Sequence, residues 1–361
     1  MKMRKIVCSF MISVVCFMTA ISGVSATSYD TSKINAAYSK VVEYYKNNNN
    51  LNNADKILAV ESLGLEAESN QFDTSSADLS STSLSKKIVT EVLLGVDPTE
   101  DKKTLESQID ENGNVEGSWG ASSDVWTLYA LYVTSSEKTN LIANKLNDEL
   151  AASSVCGYEW GGTYYADYDT TGWVIEGLAV VNKEKYATTI NKAIDYIKNN
   201  TTMTTTGWVT ADNADTQSQV LEGMFAYDTN ALLNDSYTVH PVDCLLNTQL
   251  SDGSFPSGYN AEYTTAEVAK TLGTYKNGSV IIKAKKAYDK MMNPEQPDNT
   301  KPAQPTDTKK DSQSTNKVET TNQKTTSVKT GDETNVVIFV SLSMVSGGLF
   351  LVLRKEYERV H

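Results

Sequence analysis

The chain is short of the residues on which most hydrolytic and metal chemistry rests. Its 361 residues include only two histidines and four cysteines, and Cys8 and Cys16 fall in an apolar leader. Cys156 and Cys244 are left in the body, too few for a zinc-binding cysteine pattern. Export would permit them to pair, but sequence does not show whether they meet. The body's one histidine, His240, stands four residues before Cys244 with Pro241 between them. That spacing can turn two ligands to one helix face, yet no third or fourth ligand accompanies them, so no metal and no cofactor is expected. No nucleophile elbow surrounds any serine. Basic charge is scarce too: 32 Lys and Arg face 45 Asp and Glu, a net charge of −13. Such a chain repels nucleic acid and anionic lipid, and no nucleic-acid partner is expected.

The two ends have a different character. Residues 1–26 carry a basic head (Lys2, Arg4, Lys5), an apolar run and the small-residue close Val24-Ser25-Ala26, the pattern of a signal peptide cleaved after Ala26. A lipoprotein signal on Cys16 is the competing reading. Near the other end, residues 336–353 form an uncharged apolar run long enough for a transmembrane helix, followed by Arg354, Lys355 and Arg359. The preceding "SVKTGDE" together with that span and basic tail resembles a Gram-positive sortase sorting signal, residues 331–361, with cleavage between Thr330 and Gly331. Ser327 and Val328 stand where that signal usually has Leu-Pro. A plain single-span membrane anchor is the alternative. Either way the body is expected outside the cell, tethered to the wall or the plasma membrane. Residues 293–330 hold no aromatic and are rich in Thr, Pro and Lys; a disordered stalk is expected there.

Between these ends, residues 27–292 read as one all-α domain. In "INAAYSKVVEYYK" Ile34, Ala37, Tyr38, Val41, Tyr44 and Tyr45 share one stripe. Some nine further segments of about three turns behave likewise, and alternation of the strand type is nearly absent.

Repeats organise these helices. "SQIDENGNVEGSWGASSDVWTLYALYV" and "TQLSDGSFPSGYNAEYTTAEVAKTLGTY" share Gln (Gln108, Gln249), then Gly, then Ser-aromatic (Trp119, Phe255), then an acid before an apolar helix. Two further copies keep the second half, with Asp169 and Asp215 near the helix starts. The clearest copy, "QLSDGSF" with Gln249, Asp252, Gly253 and Phe255, is similar to the squalene cyclase and prenyltransferase repeat family. That resemblance implies an α/α toroid, inner and outer rings of helices around a central cavity. It further implies that the repeat aromatics, Trp119 among them, pack against the Gln and tie neighbouring hairpins together.

"ADYDTTGW" carries the only candidate catalytic acids, Asp167 and Asp169. Family cyclases protonate an alkene with the middle acid of an Asp-x-Asp-Asp-Thr stretch; here Thr170 replaces the last Asp. The competing assignment is helix capping, since acids recur near helix starts at Asp124, Asp169, Asp215 and Glu262. On that assignment Asp169 is a cap. The Gly-rich loop "EWGGTYYADYD" places Trp160, Tyr164, Tyr165 and Tyr168 at one rim, with Trp173 beside them, as candidates for ligand binding. Two classes of function are expected: a non-catalytic module binding a small molecule, glycan or partner protein, or an enzyme on the same fold using Asp169 or degrading polysaccharide.

Overall fold

The computed structural model describes residues 29–68, 80–160, 163–201, 214–257 and 260–294, the side chains of 158–160 excepted. The expected signal peptide, stalk, sorting signal and span 336–353 lie outside them, as does Trp208. No described helix is long and apolar enough to cross a membrane. The described residues are predominantly helical: α1 (Thr31–Asn47), α2 (Ala54–Ser62), α3 (Ser81–Leu93), α4 (Thr99–Ser107), α5 (Ala121–Val133), α6 (Thr139–Ser153), α7 (Tyr168–Asn200), α8 (Ala214–Asn234), α9 (Pro241–Leu246), α10 (Ala261–Asn277) and α11 (Val280–Met292). Among the described residues the fold is all-α save for one antiparallel hairpin, β1 (Gly157–Trp160) with β2 (Thr163–Ala166). That hairpin is a correction, because its residues were expected to form a loop.

Six of the described helices touch in cyclic order: α2 meets α3, α3 meets α5, α5 meets α7, α7 meets α8, α8 meets α10, and α10 returns to α2. The outer helices α1, α4 and α6 pack against members of this set. Between the two layers runs the apolar core, including Leu58, Leu84, Leu128, Ile175 and Leu221 from inside and Val41, Leu105, Ile142 and Leu146 from outside. A fully buried aliphatic side chain of this kind contributes about 1.5–3 kcal/mol. α7 and α8 each bend outward at one residue with non-helical angles, Asn182 and Asp228. The side chains there accept from Lys185 N–H and Ala231 N–H, both at 2.9 Å, and so cap the segment that follows.

Close approach between neighbours depends on glycine. A Cβ on Gly172 would meet Val220 N at 2.7 Å, and one on Gly273 would meet the Ser62 carbonyl oxygen at 2.6 Å. Gly172 thus fits α7 to α8, and Gly273 fits α10 to α2 where the cycle closes. α11 touches α2, α3, α5 and α10. Its start is fastened by Ser279, whose hydroxyl donates to Glu176 Oε1 at 2.6 Å, and Lys283 pairs with Glu61 at 2.7 Å. Glu61 and Glu176 lie towards the C-terminal ends of the inner segments, so α11 lies across that end of the cycle.

Candidate functional site

Three inner helices align without a gap once the structure supplies the register. "DTTGWVIEGL" of α7, "DTQSQVLEGM" of α8 and "YTTAEVAKTL" of α10 superpose Asp169, Asp215 and Tyr263 at the first position. "SSDVWTLYAL" of α5 joins them from Ser122, and successive copies are about 47 residues apart. Positions one, five and eight fall on one helical face, and in every copy that face turns to the middle of the cycle. The result is three tiers. Asp169, Asp215, Tyr263 and Asp55 of α2 form the first, at the helix N-termini. Trp126, Trp173, Gln219 and Glu267 form the second. Tyr129, Glu176, Glu222 and Lys270 form the third.

The tiers interact across the middle. Lys270 Nζ lies 2.9 Å from Glu267 and 3.8 Å from Glu222. The Tyr129 hydroxyl stands 2.9 Å from Glu176 Oε2. Gln219 Nε2 donates to Glu267 Oε2 at 3.3 Å. Lys86 of α3 pairs with Asp55 at 2.8 Å, and its ammonium sits 4.6 Å from the centre of the Trp126 ring. Lys270 approaches the same ring at 5.4 Å, and Trp126 meets Trp173 edge-on with centroids 5.8 Å apart. The second and third tiers are filled with side chains: Gln219 is 1% exposed and Glu267 0%. Several of their polar atoms nonetheless have no hydrogen-bond partner, namely Gln219 Oε1, Glu267 Oε1, Glu222 Oε2 and the indole N–H of Trp173. Buried acceptors in that condition are rare in folded proteins.

Six carboxyl groups around two ammonium groups raise the cost of ionisation. Burial, then the Asp167 charge, pushes Asp169 up to about 7, against a hydrogen bond from Thr216. Burial, then the charges of Glu267 and Asp169, pushes Asp215 up to about 8. Burial likewise raises Glu176 and Glu222, whereas Lys270 is held protonated by Glu267 and Glu222 in spite of its burial. The first-tier acids also lie in the first turns of their helices, where the dipole favours negative charge.

The structure reassigns several expected residues. Asp167, not Asp169, caps α7: it accepts from Thr170 N–H at 3.4 Å and from the Thr170 hydroxyl at 2.6 Å. Asp169 therefore loses its expected role as a cap and becomes a half-buried member of the first tier. Asp124 is no cap either, and in register it matches Thr171, Gln217 and Thr265 rather than Asp169. Asp124, Thr171 and Thr265 tie the segment before their helix, and Gln217 ties the segment after its own. Asp124 accepts from the Ser118 hydroxyl at 2.6 Å, and pairs with Lys145 besides. Thr171 accepts from Cys156 N–H at 2.9 Å, Thr265 accepts from Phe255 N–H at 3.0 Å, and Gln217 donates to the Pro241 carbonyl. Glu262 pairs with Lys56 at 2.8 Å, while Asn260 caps α10.

Of the repeat residues, Gln249 donates to the carbonyls of Ala37 and Gly253, both at 3.1 Å. Asp252 accepts from Ser254, Gly253 has φ +94° and packs on Lys40, and Phe255 is buried. Gln108 ends α4, and its carbonyl accepts from Glu116 N–H at 2.8 Å. Trp119 departs from expectation: at 73% exposed it packs in no core. Tyr164 and Tyr165 stand exposed on β2, Trp160 ends β1, and Tyr168 is half-buried at the start of α7. Trp173 belongs with the second tier and not with that hairpin. Cys156 and Cys244 are both buried and do not form a disulfide with each other. His240 Nδ1 accepts from Val242 N–H at 3.2 Å and so caps α9.

Sequence reading passed over Glu176, Glu222, Glu267 and Lys270, although the shared Asp-Thr-x-x-x-Val-x-Glu-Gly of α7 and α8 was the signal that locates two of them. No family model matches the chain, and no curated protein or solved structure matches it.

Proposed function

We propose that the chain is a surface-displayed, non-catalytic binding module built as an α/α toroid of the squalene cyclase and prenyltransferase repeat type. The cyclic contacts of α2, α3, α5, α7, α8 and α10, with α1, α4 and α6 outside them, support the toroid. The leader and the sorting-type end support display on the cell surface, through the wall or a single span. Binding is carried by one observation above all: fully buried acceptors on Gln219 and Glu267 without partners, next to the half-buried Trp173. A protein that only needed to hold its ring together would gain by filling these positions with apolar side chains. A screen of the purified chain against glycans, corrinoids and isoprenoids by thermal shift tests this. A saturable rise in melting temperature that disappears in Gln219→Leu supports the reading, and a rise unaffected by that change removes it.

The enzymatic alternative draws on the Asp169 carboxyl, which burial and Asp167 bring to about 7, in the range suited to a general acid. Asp169→Asn separates the two: loss of turnover with the fold unchanged selects the enzyme, whereas ligand binding by the unaltered chain with no turnover to lose selects the module.

A further inference from the structure

The first two tiers have a chemical bias that the fold alone does not need. Asp169, Asp215 and Asp55 present carboxyl oxygens at the N-terminal ends of α7, α8 and α2, opposite the end crossed by α11. Below them are Glu267 Oε1 and Gln219 Oε1, buried and unpartnered, with the indole of Trp173 alongside. Both of these oxygens accept a hydrogen bond, and the Trp173 indole N–H is the unpartnered donor beside them. The charges are unbalanced in the same sense, since Lys270 in the third tier and Lys86, which reaches the tiers from α3, are both engaged with acids. The site also already shows how it treats an ammonium group: Lys86 and Lys270 both lie over the Trp126 ring, while the neighbouring Trp173 has Lys270 only at 6.0 Å.

We infer that the N-terminal end of the helix cycle takes an organic amine in its protonated form. Its ammonium is held by Asp169, Asp215 and the free oxygen of Glu267, and its carbon skeleton lies against Trp173. The inference rests on the binding-module reading and narrows its ligand class. An ammonium supplies a donor to the unpartnered Glu267 oxygen and positive charge to the two aspartates beside it, and a desolvated cation beside indole adds a favourable electrostatic contact. A neutral polyol supplies donors as well but leaves the charge imbalance in place.

Proton linkage distinguishes these ligands. Asp169 is faced by Asp167 from its own helix, Thr216 from α8 and Glu267 from α10; Asp215 is faced by Asp169 of α7, Glu267 and Lys270 of α10 and Asp55 of α2. Acids dominate both environments, so an arriving cation drives the two carboxyls to ionise and protons leave. Titration calorimetry on the full-length chain in detergent, at pH 7.5 in phosphate and in the sulfonate-bearing buffer HEPES, counts those protons from the difference in heats.

The probes are glucosamine and spermidine, with N-acetylglucosamine as the neutral counterpart. The expected result is binding of at least one amine with net proton release, weakening about a hundredfold per pH unit below about 7, where both carboxyls must lose a proton. Asp215→Asn is expected to lose at least about tenfold in affinity while its melting temperature is kept, and N-acetylglucosamine is expected to bind no better than buffer. Trp173→Phe keeps the aromatic face and so retains most of the affinity, a second variant that does not touch the acids. Equal binding of N-acetylglucosamine without proton release would overturn the amine and leave the binding module standing. Failure of all three probes, with turnover of an isoprenoid instead, would overturn both.

Discussion

Two aspartates set apart by one residue do different work, and backbone geometry decides which does what. Asp167 has φ −118° and ψ 101°, outside the helix, so its carboxylate can reach back to Thr170; Asp169 is already inside the first turn and points to the ring. Asp167→Ala is expected to cost about 1 kcal/mol in urea unfolding through loss of a cap. Asp169→Asn removes a repelled carboxylate and is expected to raise the melting temperature at pH 8.5, which a thermal melt measures. If instead Asp169→Asn behaves like Asp167→Ala, the two roles have been assigned the wrong way round. Lys270 is the sharper case. Its ammonium neutralises Glu267 and Glu222 where water is excluded, so Lys270→Met strands two buried charges. Removal of one member of such a group costs about 3–5 kcal/mol, and denaturant titration at neutral pH is expected to show a loss in that range.

At the scale of elements, sequence and structure agree where periodicity is strong and part where it is weak. The stripe Ile34, Ala37, Val41 and Tyr45 of α1 is buried as its spacing demands. β1 and β2 were not legible, because Thr163–Ala166 is exposed at every position and therefore carries no alternation of apolar and polar residues. The tier residues were hidden for the opposite reason: Glu222, Glu267 and Lys270 have the composition of a solvated helix face, and only the closing of α10 onto α2 turns that face inward. Trp119 misled because its place in the repeat matches that of Phe255, yet one ring is exposed and the other buried; local pattern does not encode that difference. Closure itself depends on Gly273. Gly273→Ala drives a methyl into Ser62 Oγ at 2.5 Å and Ser62 O at 2.6 Å, backbone that cannot give way without parting the helices. A loss of about 1–3 kcal/mol or more is expected, and a hydrogen-exchange comparison should find the new opening concentrated in α2 and α10.

For the whole molecule the excess of interior acids sets how stability varies with pH. Asp169 and Glu91 are raised to about 7 and Asp215 to about 8, and Glu176 and Glu222 shift the same way. Each folded value lies above its unfolded one, so the folded chain keeps protons that the unfolded chain gives up as pH rises from about 4 to 8. Stability is therefore expected to fall steadily across that window and to level off above it. His240, lowered by burial, works in the other direction only below about 6.5. The carboxylates held low, such as Asp97, Asp110 and Asp252, matter only under about pH 4. Urea unfolding at pH 5.5 and 8.5 checks the sign, and a domain equally stable at both would show that the ring interior is freely hydrated.

The place of α11 gives the chain a direction for mechanical load. Under the proposed surface tether, a pull from beyond residue 294 enters α11 at Met292 and runs to the fastenings at its other end, Ser279 to Glu176 and Lys283 to Glu61. Tension along the chain is thus delivered to the end of the cycle that α11 crosses, and the fastening at which it terminates belongs to Glu176, a member of the third tier. A tethered molecule under drag would loosen its floor before its rim.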